Sequence, residues 1–179
     1  MRRRLQLTAL VAVIAVLGIV AAAVATGGGR KISERLSGYQ ETPLTLSTTG
    51  HGKFNATISR FDDRIEYRLS YADLEGSVTQ AHIHLGQRAT TGGISVFLCT
   101  NLGNGPAGTQ ACPAAPATVS GTIRPADVIG PTGQGISAGQ YGELLDAIDA
   151  GVTYVNVHST LYPGGEIRAQ IDDHRDGRH

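Results

Sequence analysis

Between about residue 32 and residue 171 the chain alternates apolar and polar residues in short runs. Phe54, Ala56 and Ile58 share one parity, and Ile65, Tyr67, Leu69 and Tyr71 share another, with Asp62-Asp63 between them as a turn. Ala81, Ile83 and Leu85 alternate with Gln80, His82 and His84, and Ile94, Val96 and Leu98 follow Gly92-Gly93. Val119, Gly121 and Ile123 form a run that stops at Pro125. Val155 and Val157 alternate with Asn156 and His158, and Ile167, Ala169 and Ile171 with Glu166, Arg168 and Gln170. A period of two places alternate side chains on opposite faces, which is the signature of half-buried strands. With an edge strand expected near 32–40, about eight strands result. One segment departs from the period. Tyr141, Leu144, Leu145 and Ile148 fall at helical spacing, Ser137 and Gln140 fit a capping box before them, and Gly151 stands where a C-terminal glycine belongs. The predicted fold is mainly β: an antiparallel, Greek-key-like sandwich or barrel of about eight strands with one helix at one end.

The first 25 residues follow a different rule. Arg2-Arg3-Arg4 precedes an uncharged stretch from Leu5 to Gly29, and Ala23-Val24-Ala25 is a small-x-small site. This is the layout of a secretory signal peptide cleaved after Ala25. The stretch from Leu5 to Ala25 also has about the length of a bilayer span, so an uncleaved membrane anchor remains the alternative. Either reading places the remainder outside the cytoplasm, secreted or anchored through residues 5–25. Residues 26–31 read as a Gly-rich linker, 32–171 as the β-domain and 172–179 as a polar tail. Of the 15 basic residues, removing the three N-terminal arginines leaves 12 against 15 acidic ones. A mildly acidic domain carries no basic footprint for nucleic acid.

Cys99 and Cys112 are the only cysteines and flank a turn-rich segment. In an exported chain such a pair favours a disulfide. A thiolate metal site would need closer spacing and further ligands.

Four segments in order resemble the chordin-type (CHRD) domain: Leu36-Ser37-Gly38-Tyr39-Gln40-Glu41-Thr42-Pro43, Ala81-His82-Ile83-His84-Leu85-Gly86, Tyr154-Val155-Asn156-Val157-His158, and Pro163 to Ile171. Cys99 and Cys112-Pro113 join the pattern, and the resemblance covers roughly 32–171. It implies an extracellular β-domain and brings no catalytic residues with it. The cysteine-rich modules that accompany the domain in chordin are missing from this chain, so growth-factor binding is not carried over.

Strand parity singles out one face for chemistry. If Ile83, Val155, Val157, Ile167 and Ala169 face the core, then His82, His84, Asn156, His158, Glu166 and Arg168 share the other side. His82 and His84 point the same way, and His158 from another strand supplies a third imidazole for one copper or zinc ion. Glu166 is a further ligand, or a carboxylate orienting an imidazole. The bland alternative is a solvated polar sheet face, ordinary in antiparallel sheets, with Glu166 and Arg168 as a structural pair. His51 is a weaker fourth candidate, and His174 and His179 lie in the tail. The spacing of His82, His84 and His158 also resembles the copper ligands of copper–zinc superoxide dismutase. No histidine lies between His84 and His158, so residues for a second, zinc site are missing. No Gly-x-Ser-x-Gly nucleophile motif occurs, and Gly103-Asn104-Gly105-Pro106 lacks the lysine and helix of a phosphate loop. The function expected is a module that binds an extracellular or envelope ligand without catalysis. The alternatives are a mononuclear copper or zinc protein and a metal-dependent redox enzyme.

Overall fold

The computed structural model describes residues 29–172. The signal or anchor segment and nearly all of the polar tail lie outside them. Eight strands form one sheet: β1 (Arg30–Ser37), β2 (His51–Ser59), β3 (Arg64–Ala72), β4 (Val78–Leu85), β5 (Ile94–Thr100), β6 (Ala117–Ile123), β7 (Thr153–Ser159) and β8 (Ile167–Ile171). Their order is β5-β4-β7-β8-β1-β2-β3-β6, and every pairing is antiparallel. The sheet curls until its two end strands, β5 and β6, approach each other as a nearly closed barrel. Leu36, Phe54, Ile65, Leu69, Ile83 and Ile167 fill the interior, each no more than 2% exposed.

The seam between β5 and β6 is spanned by side chains instead of a ladder. The Tyr67 hydroxyl donates to the Leu98 carbonyl at 3.0 Å, and Gln110 Nε2 donates to the Tyr67 oxygen at 2.9 Å and to the Ser120 carbonyl at 3.2 Å. Gly121 makes room for the Tyr67 ring, since a Cβ there would lie 2.8 Å from its Cε1. Cys99 and Cys112 are disulfide-bonded and buried beside this seam. The bond ties the end of β5 to the loop that leads into β6.

Two expectations change in detail, and the alternative of a solvated sheet face falls. β1 is an inner strand, paired along its full length with β2 and at Ser37 with β8. It reads as an edge from sequence because parity says nothing about neighbours. The α-helix of the described residues, α1 (Tyr141–Asp149), begins after Gln140, and Ser137 is not its cap. Gly139 sits at φ +83°, which no right-handed helix admits. Of the predicted capping box only the return bond survives, from the Ser137 amide to Gln140 Oε1 at 2.6 Å. At the other end Gly151 has φ +67°, and the amides of Gly151 and Val152 bond back to Ile148 and Ala147. That is a Schellman ending, as the glycine implied. Tyr141, Leu144, Leu145 and Ile148 are all buried in the core.

The covered sheet face decides the site. Antiparallel sheets commonly leave one face in water, yet the polar face of β4, β7 and β8 is buried. His82, Asn156, Glu166, Arg168 and Gln170 are each at most 3% exposed, and His84 and His158 are 7% and 6% exposed. Loops on that side lie over the sheet and form a second, polar layer.

Candidate metal centre

The layer is built by register. β7 lies between β4 and β8, with His82 opposite Asn156, His84 opposite Tyr154 and Asn156 opposite Arg168. Parity turns Val155 and Val157 into the barrel and Tyr154, Asn156 and His158 outward under the loops. His82, His84 and His158 converge there, offering one nitrogen each within 4.8 Å of the others. His82 Nδ1 is 3.1 Å from His158 Nε2.

Hydrogen bonds define which nitrogens are free. His84 Nδ1 lies 3.0 Å from the Gly92 carbonyl and His158 Nδ1 lies 2.9 Å from the Pro163 carbonyl. A carbonyl only accepts, so both Nδ1 atoms carry the hydrogen and both Nε2 atoms present lone pairs, of which that of His158 accepts from His82 Nδ1. This backbone-held tautomer is the arrangement that orients a metal-ligating imidazole. His84 Nε2 and His82 Nε2 are buried without a partner. The rings are walled by aromatic surface: Phe97 meets His82 edge-on at 4.3 Å, and Tyr154 stacks on His84 at 4.7 Å.

Burial keeps these imidazoles neutral. Desolvation, with His158 and then His84 adding repulsion, pushes His82 down to about 2. Desolvation is also the main cause that holds His84 near 4, against the bond to Gly92, and it lowers His158 as well. Neutral imidazole is the ligating form.

The covering loops are fastened by the remaining polar residues. Asn156 Nδ2 donates to both carboxylate oxygens of Glu41, at 2.9 and 3.0 Å. Arg168 bonds the Thr42 hydroxyl and donates to the Thr90 and Gln87 carbonyls, both at 2.9 Å. Its guanidinium carbon lies 3.6 Å from the centroid of the Tyr154 ring. Gln170 Nε2 donates to the carbonyls of Gly86 and Gly151, both at 2.9 Å. Glu166 accepts from the Thr48 hydroxyl at 2.8 Å and the Glu75 amide at 2.6 Å. It stands outside the histidine group, clamping the 48–50 and 74–76 loops together. His51 is exposed, 3.2 Å from the Thr49 carbonyl, and is also outside the group. His174 and His179 lie outside the described residues.

Four residues of this layer carry no site signal of their own in the sequence, although Glu41, Tyr154 and Gln170 lie within the family-like segments. Tyr154, Gln170 and Phe97 have the right parity but ordinary strand character. Glu41 sits in a loop, where parity gives no direction.

The fold and the site together define a class: a disulfide-bonded antiparallel barrel carrying a sheathed polar layer on one side. The chain belongs to the CHRD domain family, whose model matches residues 32–171. Family membership suggests a binding module, of a kind usually found outside the cell, and the disulfide fits that setting. Among the described residues no helix is long and apolar enough to cross a membrane. No curated protein and no solved structure shows a significant match to the chain.

Proposed function

We propose that this CHRD module works outside the cytoplasm by binding, and that His82, His84 and His158 hold one copper or zinc ion. The observation that carries the reading is a buried trio of neutral imidazoles with two nitrogens left unpartnered. An unsatisfied buried polar atom costs about 1–3 kcal/mol, and a metal ion accepts the lone pairs that no protein donor meets. Imidazole suits both copper and zinc. The domain's family and its disulfide support a binding role in an oxidising compartment. The N-terminal segment supports export or anchoring. Any macromolecular ligand of the module would be an extracellular or envelope component.

The test is a metal titration of the purified protein with separation of bound from free ion. One equivalent is expected for the wild type and for His51→Ala. His82→Ala, His84→Ala and His158→Ala, each checked for folding by circular dichroism, are expected to lose most of the affinity. If all three folded variants bind as tightly as wild type, the histidines are only a structural cluster.

A further inference from the structure

Resting on the metal-binding reading, we infer that the ion this cluster selects is monovalent copper, Cu(I), over Cu(II) and Zn(II). Charge is the first ground. The three donors are uncharged, and no carboxylate or thiolate joins them: among the described residues the group of candidate ligands is His82, His84 and His158 alone. The two nearby buried carboxylates are committed elsewhere. Glu41 accepts from Asn156 and from the Thr42 backbone, and Glu166 is held by Thr48 and the Glu75 amide. An ion in this place therefore keeps its full charge in a desolvated site. The solvation penalty of an ion grows with the square of its charge, so a dication is penalised about four times as heavily as a monocation.

The second ground is the fixed cation close by. Arg168 packs on Tyr154 at 3.6 Å, and Tyr154 stacks on His84 at 4.7 Å. The strand order puts the guanidinium on β8 and the imidazole on β4, one on either side of the tyrosine's strand. The arginine is itself buried and held by three loop oxygens, so it does not swing away. At an effective dielectric constant of ~20, a second unit charge about 10 Å from a guanidinium weakens binding roughly 15-fold.

Coordination number is the third. Zn(II) completes a tetrahedron and Cu(II) a tetragonal set, each with a fourth ligand from water or carboxylate. Here the rings are 0%, 7% and 6% exposed, and their neighbours are the faces and edges of Phe97 and Tyr154. Closed-shell Cu(I) is satisfied by two or three nitrogens and needs no water. The site thus matches it in charge, in ligand count and in surroundings.

The experiment is an anaerobic titration of the purified protein with Cu(I) against the competing chelator bicinchoninate. It is set beside titrations with Cu(II) and with Zn(II) against their own competitors. One equivalent of Cu(I) is expected, bound at least ~15-fold more tightly than either dication. The X-ray absorption edge is expected to be that of Cu(I) with three nitrogen neighbours. His84→Ala should weaken Cu(I) binding and His51→Ala should not. Should Zn(II) or Cu(II) bind at the three histidines as tightly as Cu(I), this inference is overturned while the metal-binding reading stands. If no ion binds there at all, both fall.

Discussion

Glu41 is a carboxyl enclosed where a neutral group is wanted, and Glu41→Gln is therefore expected to stabilise the protein at high pH only. The side chain is 5% exposed. Burial, only partly offset by the bond from Asn156 and the charge of Arg168, pushes it up from 4.5 to about 7. Below pH 4.5 the carboxyl is protonated in folded and unfolded chains alike, and it contributes nothing to the pH dependence. Between 4.5 and 7 the unfolded chain has lost the proton and the folded chain has kept it, so stability falls as pH rises. At about 1.4 kcal/mol per pH unit, that window costs the wild type about 3 kcal/mol, all of it reached above pH 7. The amide of Glu41→Gln never ionises and escapes the cost. It also suits the local bonding: Asn156 Nδ2 still finds a carbonyl oxygen, and Asn156 Oδ1, buried without a partner, lies beside Glu41 to receive the new N–H. His82 and His84 contribute the opposite slope below pH 6.5, because they charge in the unfolded chain and stay neutral in the fold. Both proteins share that slope, so it cancels in their difference. The assay is urea denaturation of wild type and variant from pH 4 to pH 8.5. The variant's advantage is expected to climb from near zero to about 3 kcal/mol and then level off. A difference that stays flat with pH, or a variant that is less stable at pH 8, would refute the account of Glu41.

Two further expectations concern the barrel. Leu144 is fully buried on α1, so Leu144→Ala should lower the unfolding free energy by about 2–5 kcal/mol; a loss under ~0.5 kcal/mol in urea would mean the helix is not packed as described. Replacing both Cys99 and Cys112 by alanine opens a loop with a sequence separation of 13 and should cost about 3 kcal/mol in the chain-entropy account. Equal urea midpoints for this variant and the oxidised wild type would show that the bond adds no stability.

Periodicity by itself determined the β class, the number of strands, the apolar helix stripe and the parity of His82, His84 and His158. These are local properties: a two-residue repeat and a 3.6-residue repeat are written in the order of the side chains. The cysteine pair and the Gly151 helix ending were legible for the same reason. The four ordered segments and the cysteines made the family legible too. Which strands are neighbours was not, because pairing joins residues far apart in the chain. β1 became an inner strand only when β8 came round to its free side at Ser37 and Arg168. Nor does alternation tell a solvated face from a covered one, since both present polar residues at every second position. Only the folded loops decided that. Glu41, Thr42, Gln87 and Thr90 arrive from loops distant in sequence, close over β4, β7 and β8 and remove water from the histidines. With the water goes the ordinary behaviour of those side chains: the imidazoles stay neutral, the carboxyl of Glu41 holds its proton up to about pH 7, and a polar sheet face becomes a sealed cluster of donors.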